Sequence, residues 1–171
     1  VAVTVDCDGP LRVHNVYVPA GGDEPDPEIN DKFAHKLSFL EEMTRLAPAS
    51  GERSVLVGDL NVAPYEDDVW SHRQLLKVVS HTPVETELFE RTRSAGGWDD
   101  AMRRALPVPD KIYTWWSYRA RDWRAANRGR RLDHVWTSPA LAGTAFSMDV
   151  LVDARDWEKP SDHVPVVARF G

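Results

Sequence analysis

Seven apolar runs of strand length, at residues 1–5, 11–18, 53–57, 112–116, 131–136, 144–151 and 164–170, leave this chain little choice but to build a sheet. Between the second and third runs, Ile29, Phe33, Leu37, Leu40, Met43 and Leu46 recur at three- and four-residue steps, the mark of an amphipathic helix that Pro48 and Gly51 end. A short helix is expected at 71–79. Thr82-Pro83-x-Glu85 has the form of an N-cap, a first-turn proline and a capping-box acid, opening a further helix that Gly96-Gly97 stops. Residues 98–106 predict one more helix. Asp8-Gly9-Pro10 joins the first two runs as a hairpin. The order points to an α/β or α+β domain whose sheet is more antiparallel than parallel towards its end.

At 171 residues, 42% hydrophobic and 28% charged, the composition suits one domain with a real core. A lone cysteine, Cys7, rules out an internal disulfide and suits a reducing compartment. No run approaches the length of a bilayer span, so a soluble, cytoplasmic protein without membrane contact is expected. The net charge of −6 argues against a generally basic surface, yet residues 115–131, WWSYRARDWRAANRGRR, hold six arginines and one aspartate. That is +5 locally and −11 elsewhere. An acidic body with one Arg/Trp-rich segment has what a phosphate-contacting face needs; a solvated arginine loop beside core tryptophans fits the composition equally well.

Polar residues interrupt the apolar runs in a repeated way. Tyr17 closes the second run, and Asp59 and Asn61 follow the third in SVLVGDLNVAP. Asp133 lies inside RLDHVWTS, and Asp162 and His163 precede the last run in SDHVPVV. A carboxylate inside a strand is costly unless it is exposed, paired or bound to a cation. Each motif alone is a common turn or strand entry, but several at strand ends can meet at one sheet edge. With no second cysteine, hard oxygen ligands favour Mg²⁺ or Mn²⁺ over a thiolate zinc site, and such an ion suits phosphoester hydrolysis. A two-residue step in extended chain points Asp59 and Asn61 the same way, with Gly58 permitting a turn.

The stretches YVPAGG (17–22), KFAHKLSFL (32–40), GDLNVAP (58–64), TWWSYRARDWRAANRGRRLDHVWTS (114–138) and EKPSDHVPVVARF (158–170) resemble, in order and spacing, the exonuclease III-type apurinic/apyrimidinic endonucleases of the exonuclease–endonuclease–phosphatase superfamily. The resemblance implies the later part of a four-layer α/β sandwich, with two mixed, mostly antiparallel sheets flanked by helices. It implies a Mg²⁺- or Mn²⁺-dependent hydrolase, monomeric, that cuts duplex DNA 5′ to abasic sites and trims 3′ ends in base-excision repair. Matching motifs carry roles across. Asp59 activates water or protonates the leaving oxygen, and Asn61 holds water or phosphate. His163 contacts the scissile phosphate with Asp133 as its orienting partner, Asp162 lies at or beside the metal, and Tyr17 donates near the phosphate. Asp59, Asn61, Asp162 and His163 form the implied metal-side set. Trp115 and Leu132 wall a pocket for a flipped-out baseless sugar, while Trp116, Arg119, Asn127 and Arg131 contact DNA or brace that pocket. His134, one residue from Asp133, faces the other way and is structural, as are His14, His35, His72 and His81.

Two departures from the family pattern stand out. Ala20 occupies a position that is often a polar amide. The family's early Trp-Asn-x-Asn and Gln-Glu motifs, the second supplying a metal-binding glutamate, do not occur in this chain, which is expected to be the later part of a longer domain. Two other functions fit the same residues: a nuclease-like module that binds DNA or protein without catalysis, and a superfamily phosphodiesterase acting on a lipid or inositol phosphate.

Overall fold

A computed structural model describes residues 1–171. The elements in chain order are β1 (Ala2–Asp6), β2 (Pro10–Asn15), α1 (Asp31–Met43), β3 (Ser54–Asp59), α2 (His72–Leu75), α3 (Pro83–Ala95), β4 (Asp99–Asp100), α4 (Ala101–Ala105), β5 (Trp115–Trp116), α5 (Trp123–Ala126), β6 (Gly129–Arg130), β7 (Asp133–Thr137), β8 (Phe146–Val150) and β9 (Val166–Phe170). The main sheet has the order β1-β2-β3-β7-β4, and only its β2–β3 pair is parallel. Two hairpin-like pairs, β5–β6 and β8–β9, complete the set. This is an α/β fold with mixed, mostly antiparallel sheets flanked by helices, as the residue pattern implies.

Strand alternation assigns the two faces. Leu56 and Trp136 are register partners and enter a core with Leu40 and Met43 of α1 and Leu88 and Phe89 of α3. Their neighbours Val55 and Val135 point to the opposite face, where Ala101, Met102 and Ile112 pack beside the apolar side chains of β8 and β9. The layers are therefore two helices, the five-stranded sheet, and the β8–β9 pair with α4.

The capping box forms as expected: the Thr82 hydroxyl accepts from Glu85 N–H, and the Glu85 carboxylate accepts from Thr82 N–H at 3.1 Å. Other boundaries differ. Residues 98–106 open as strand β4 pairing with β7, and Asp100 then caps a short helix by accepting from Arg103 N–H. The expected strand at 112–116 shrinks to Trp115–Trp116, and the Thr114 hydroxyl just before it accepts from the backbone of Leu132 and Asp133. Gly58 is not a turn residue; it lies within β3. Its φ of 142° and the close passage of β2's continuation explain it, since a Cβ there would sit 1.9 Å from the Val16 carbonyl oxygen.

Candidate active site

β3 and β7 run antiparallel with Asp59 opposite Asp133, so both carboxylates emerge at one end of the sheet. The segment before β9 returns beside β5: Trp116 N–H donates to Asp162 O at 2.9 Å, Val164 N–H donates to Thr114 O at 2.8 Å, and Trp115 bridges His163. This delivers His163 to the two aspartates. Its Nδ1 lies 2.8 Å from Asp133 Oδ2, and its Nε2 lies 3.7 Å from Asp59 Oδ2. One ligand atom from each of the three residues falls within 4.8 Å of the others.

Asn61 joins by a route the strand rule did not anticipate. The chain leaves extended geometry there, with Asn61 at φ 52°. The Asn61 backbone N–H and side-chain amide donate to the two oxygens of Asp59, each at 3.0 Å, and the amide also donates to Val18 O at 2.8 Å. The side chains meet through an Asx-type turn rather than through alternation. Behind this turn, fully buried Lys36 donates to Asn61 O at 2.8 Å and pairs with the equally buried Glu85 at 2.5 Å. Glu85 also accepts from Ser80 N–H, so its capping-box signal hides a second task of tying the loops beneath the site together.

The electrostatics follow from burial. Asp59 is pushed up to about 6 by desolvation, against the pull of His163, with the Asp133 charge adding to the rise. Burial alone would lower His163, but the hydrogen bond to Asp133, with the charges of Asp133, Asp59 and Asp162, more than reverses this, and the imidazole ends above its ordinary value. If Asp133 accepts from Nδ1–H, Nε2 is left facing Asp59 and the space beyond it. Two carboxylates and an imidazole crowded together, one carboxylate raised by burial, make a donor set that fits a divalent cation.

A cavity of about 690 Å³ opens over the cluster and is shared by Tyr17, Asp59, Asn61, Asp162, His163, Trp115, Trp116, Arg119 and Leu132. Tyr17 stands exposed at its rim. Asp162 accepts from the Trp115 indole N–H at 2.9 Å and so orients that ring. Leu132 is buried in an apolar cluster with Leu75 and Val69, against which Trp115 and Trp70 pack.

Of the residues expected to contact DNA or brace the pocket, two have the surroundings of braces. Arg131 is wholly buried and held by Asp68 and Asp100, so it cannot reach a phosphate; these two carboxylates hold it inward. Asn127 accepts from the buried Trp116 indole N–H at 3.1 Å and lines a different, apolar cavity, so it braces the tryptophan. His134 is buried as expected, contacts Val62 O at 2.8 Å, and is driven down to about 3 chiefly by burial. The cavity also holds residues that the sequence did not single out: Trp70, Arg128 with its guanidinium 4.7 Å over Trp70, and Arg130 with its guanidinium 5.2 Å over Trp115. An arginine recurring beside each aromatic was the available signal, but it does not say which arginine turns outward.

Comparison with known proteins decides the family. The model of the Endonuclease/Exonuclease/phosphatase family matches residues 8–163. The chain belongs to this family. It is 29% identical over 171 residues to exodeoxyribonuclease III of Haemophilus influenzae, covering 95% of this chain and 62% of that protein. Among solved structures, it resembles an AP endonuclease from Archaeoglobus fulgidus with a TM-score of 0.87 and 29% identity, covering 99% of this chain and 64% of that one. It also resembles the 3′ phosphatase NExo from Neisseria bound to product DNA hairpin, with a TM-score of 0.76 and 31% identity, covering 99% of this chain and 64% of that one. The chain thus spans less than two thirds of the length of these family members. No helix is long and apolar enough to cross a membrane.

Proposed function

We propose that this family member hydrolyses phosphodiester bonds of duplex DNA with a divalent cation, Mg²⁺ or Mn²⁺, cutting 5′ to abasic sites and trimming 3′ ends. The observation that carries it is the meeting of Asp59, Asp133 and His163, with Asp59 and His163 opening into a cavity walled by Trp115 and Leu132. Bound oxygen-ligated cations of this kind stabilise charge on the attacked phosphate and the leaving oxygen. Asp59, Asp162 and the amide oxygen of Asn61 are the oxygen donors this chain would offer, with His163 beside them. Asp133 orients His163, whose Nε2 faces the cluster and donates to a phosphate oxygen when the ring is charged. Asp59 takes the proton from attacking water or returns it to the departing oxygen. Tyr17 supplies a hydroxyl at the rim, and Trp115 with Leu132 forms an apolar slot for a baseless sugar. Arg119 and Arg128 add cationic charge along the cavity.

The resemblance to a phosphatase solved with a DNA hairpin supports DNA over a lipid or inositol phosphate, as do the arginines and tryptophans around the slot. Asp59→Ala should lower incision of an abasic duplex by at least about a thousandfold, and EDTA should abolish it. If the protein binds the duplex and does not cut it, the non-catalytic binding module takes the place of this proposal.

A further inference from the structure

Lys36 is a cation without access to solvent, and its polar contacts lie under the active site. Asn61 sits in left-handed backbone at φ 52°, a conformation that a residue with a side chain keeps only where its surroundings impose it. Its carbonyl is buried, and Lys36 Nζ donates to it at 2.8 Å. The same ammonium donates to Ala20 O at 3.4 Å and pairs with Glu85 at 2.5 Å. The loop after β2 closes tightly over the lysine stem: a Cβ on Gly21, at φ 89°, would come within 2.8 Å of Lys36 Cδ. Glu85 in turn accepts from Ser80 N–H, and the Ser80 carbonyl accepts from Ala63 N–H at 2.8 Å. One buried ion pair thus ties three loops, and each reaches the cavity, since Ala20, Asn61 and Ser80 all line it.

Asp59 feels this through Asn61. With the carbonyl held from below, the Asn61 backbone N–H and one side-chain amide hydrogen go to the two Asp59 oxygens, and the second amide hydrogen goes to Val18 O. Oδ1 is the amide atom left to the cavity. An apolar side chain at position 36 would leave the Asn61 carbonyl buried without a donor. The peptide would then turn to find one, and Asp59 would lose the two donors that hold its carboxylate. We infer that Lys36 is a positioning residue for the reaction, fixing the Asn61 turn and through it the orientation of the Asp59 carboxylate. This rests on the proposal that Asp59 and Asn61 carry out phosphodiester hydrolysis, and it concerns their geometry rather than affinity for DNA.

Lys36→Met alone strands a buried Glu85 carboxylate, so the decisive variant is Lys36→Met combined with Glu85→Gln. It removes both charges, and urea unfolding should show most of the parent's stability, as exchange of a buried ion pair for neutral groups allows. On an abasic duplex with Mg²⁺, its kcat should fall about a hundredfold, as for a reacting group misplaced by roughly an ångström, while KM changes little. Amide exchange followed by NMR in EDTA reads the turn without any cleavage. The Asn61 N–H should exchange at least about tenfold faster in the double variant, measured relative to the β3 amides of the same sample. Parent-like kcat in the folded double variant overturns the inference. So does a raised KM with unchanged kcat, or unchanged Asn61 exchange. A double variant that does not fold assigns Lys36 to the fold at large and overturns it too. If the parent protein cuts no DNA, the nuclease proposal fails by itself, and Asn61 exchange alone decides whether Lys36 sets the turn.

Discussion

Two groups of charges sit within a few residues of each other, and the fold treats them in opposite ways. Beneath the cavity, Arg131 and Arg103 meet Asp68, and Arg131 also meets Asp100, with Asp68 further accepting from Tyr65 N–H. Cations and anions are equal in number there, and all four side chains are buried. At the sheet end beside the cavity, Asp59 and Asp133 face one imidazole, partly open to solvent. The first group is saturated and acts as scaffold, holding the strand that carries Leu132 and Asp133. The second is short of positive charge, and within it burial first and the Asp133 charge second hold Asp59 near 6 against the pull of His163. Uncompensated charge at the end of a rigid strand pair is where a substrate or cation has something to gain by binding.

The largest expected effect breaks the saturated group. Arg131→Met strands Asp100 and weakens the hold on Asp68, and urea unfolding should show a loss of about 3–5 kcal/mol. A change below 1 kcal/mol would mean that this cluster is no scaffold. The next runs the opposite way. A carboxyl whose folded value is raised from 3.8 to about 6 makes the folded state lose stability as pH rises through that window. Asp59→Asn, in EDTA at pH 8, should therefore be more stable than the parent by about 1–2 kcal/mol, once the loss of one acceptor for Asn61 is subtracted. The gain should vanish near pH 4, and destabilisation at pH 8 would remove the claim that Asp59 is strained.

The smallest effect concerns His134, which is kept neutral by burial against Phe89 and Trp136. A depressed imidazole contributes stability that is whole above 6.5 and is lost as pH falls towards 3, by at most about 1.4 kcal/mol per pH unit. Buried His81 slopes the same way. His134→Phe should flatten the decline in urea midpoint between pH 6.5 and 5, and an unchanged slope would place the acid sensitivity elsewhere.

Local pattern made much of this legible in advance. The helices α1 and α3, the capping box at Thr82 and the central strands follow from side-chain period and cap chemistry, which need no distant partner. The short pieces near 98–116 did not, because two-residue strands are decided by what lies across from them. At the site, Asp59, Asn61, Asp162 and His163 stood out as polar residues at strand ends, yet the +5 segment overstated the charge offered to DNA. Arg131 is consumed by Asp68 and Asp100, and Arg124 by Asp153 and Asp156.

Sequence alone determined which residues of this protein could carry chemistry and that they belong to the ends of apolar strands, since both facts rest on residue type and short-range periodicity. Tertiary structure alone decided who partners whom. It set Asp133 against His163, Lys36 under Asn61, and Arg130 in the cavity wall while Arg131 is buried beside it. The reason is physical: whether a charge is spent or available depends on burial and on counter-charges contributed from distant parts of the chain, and no local pattern records them.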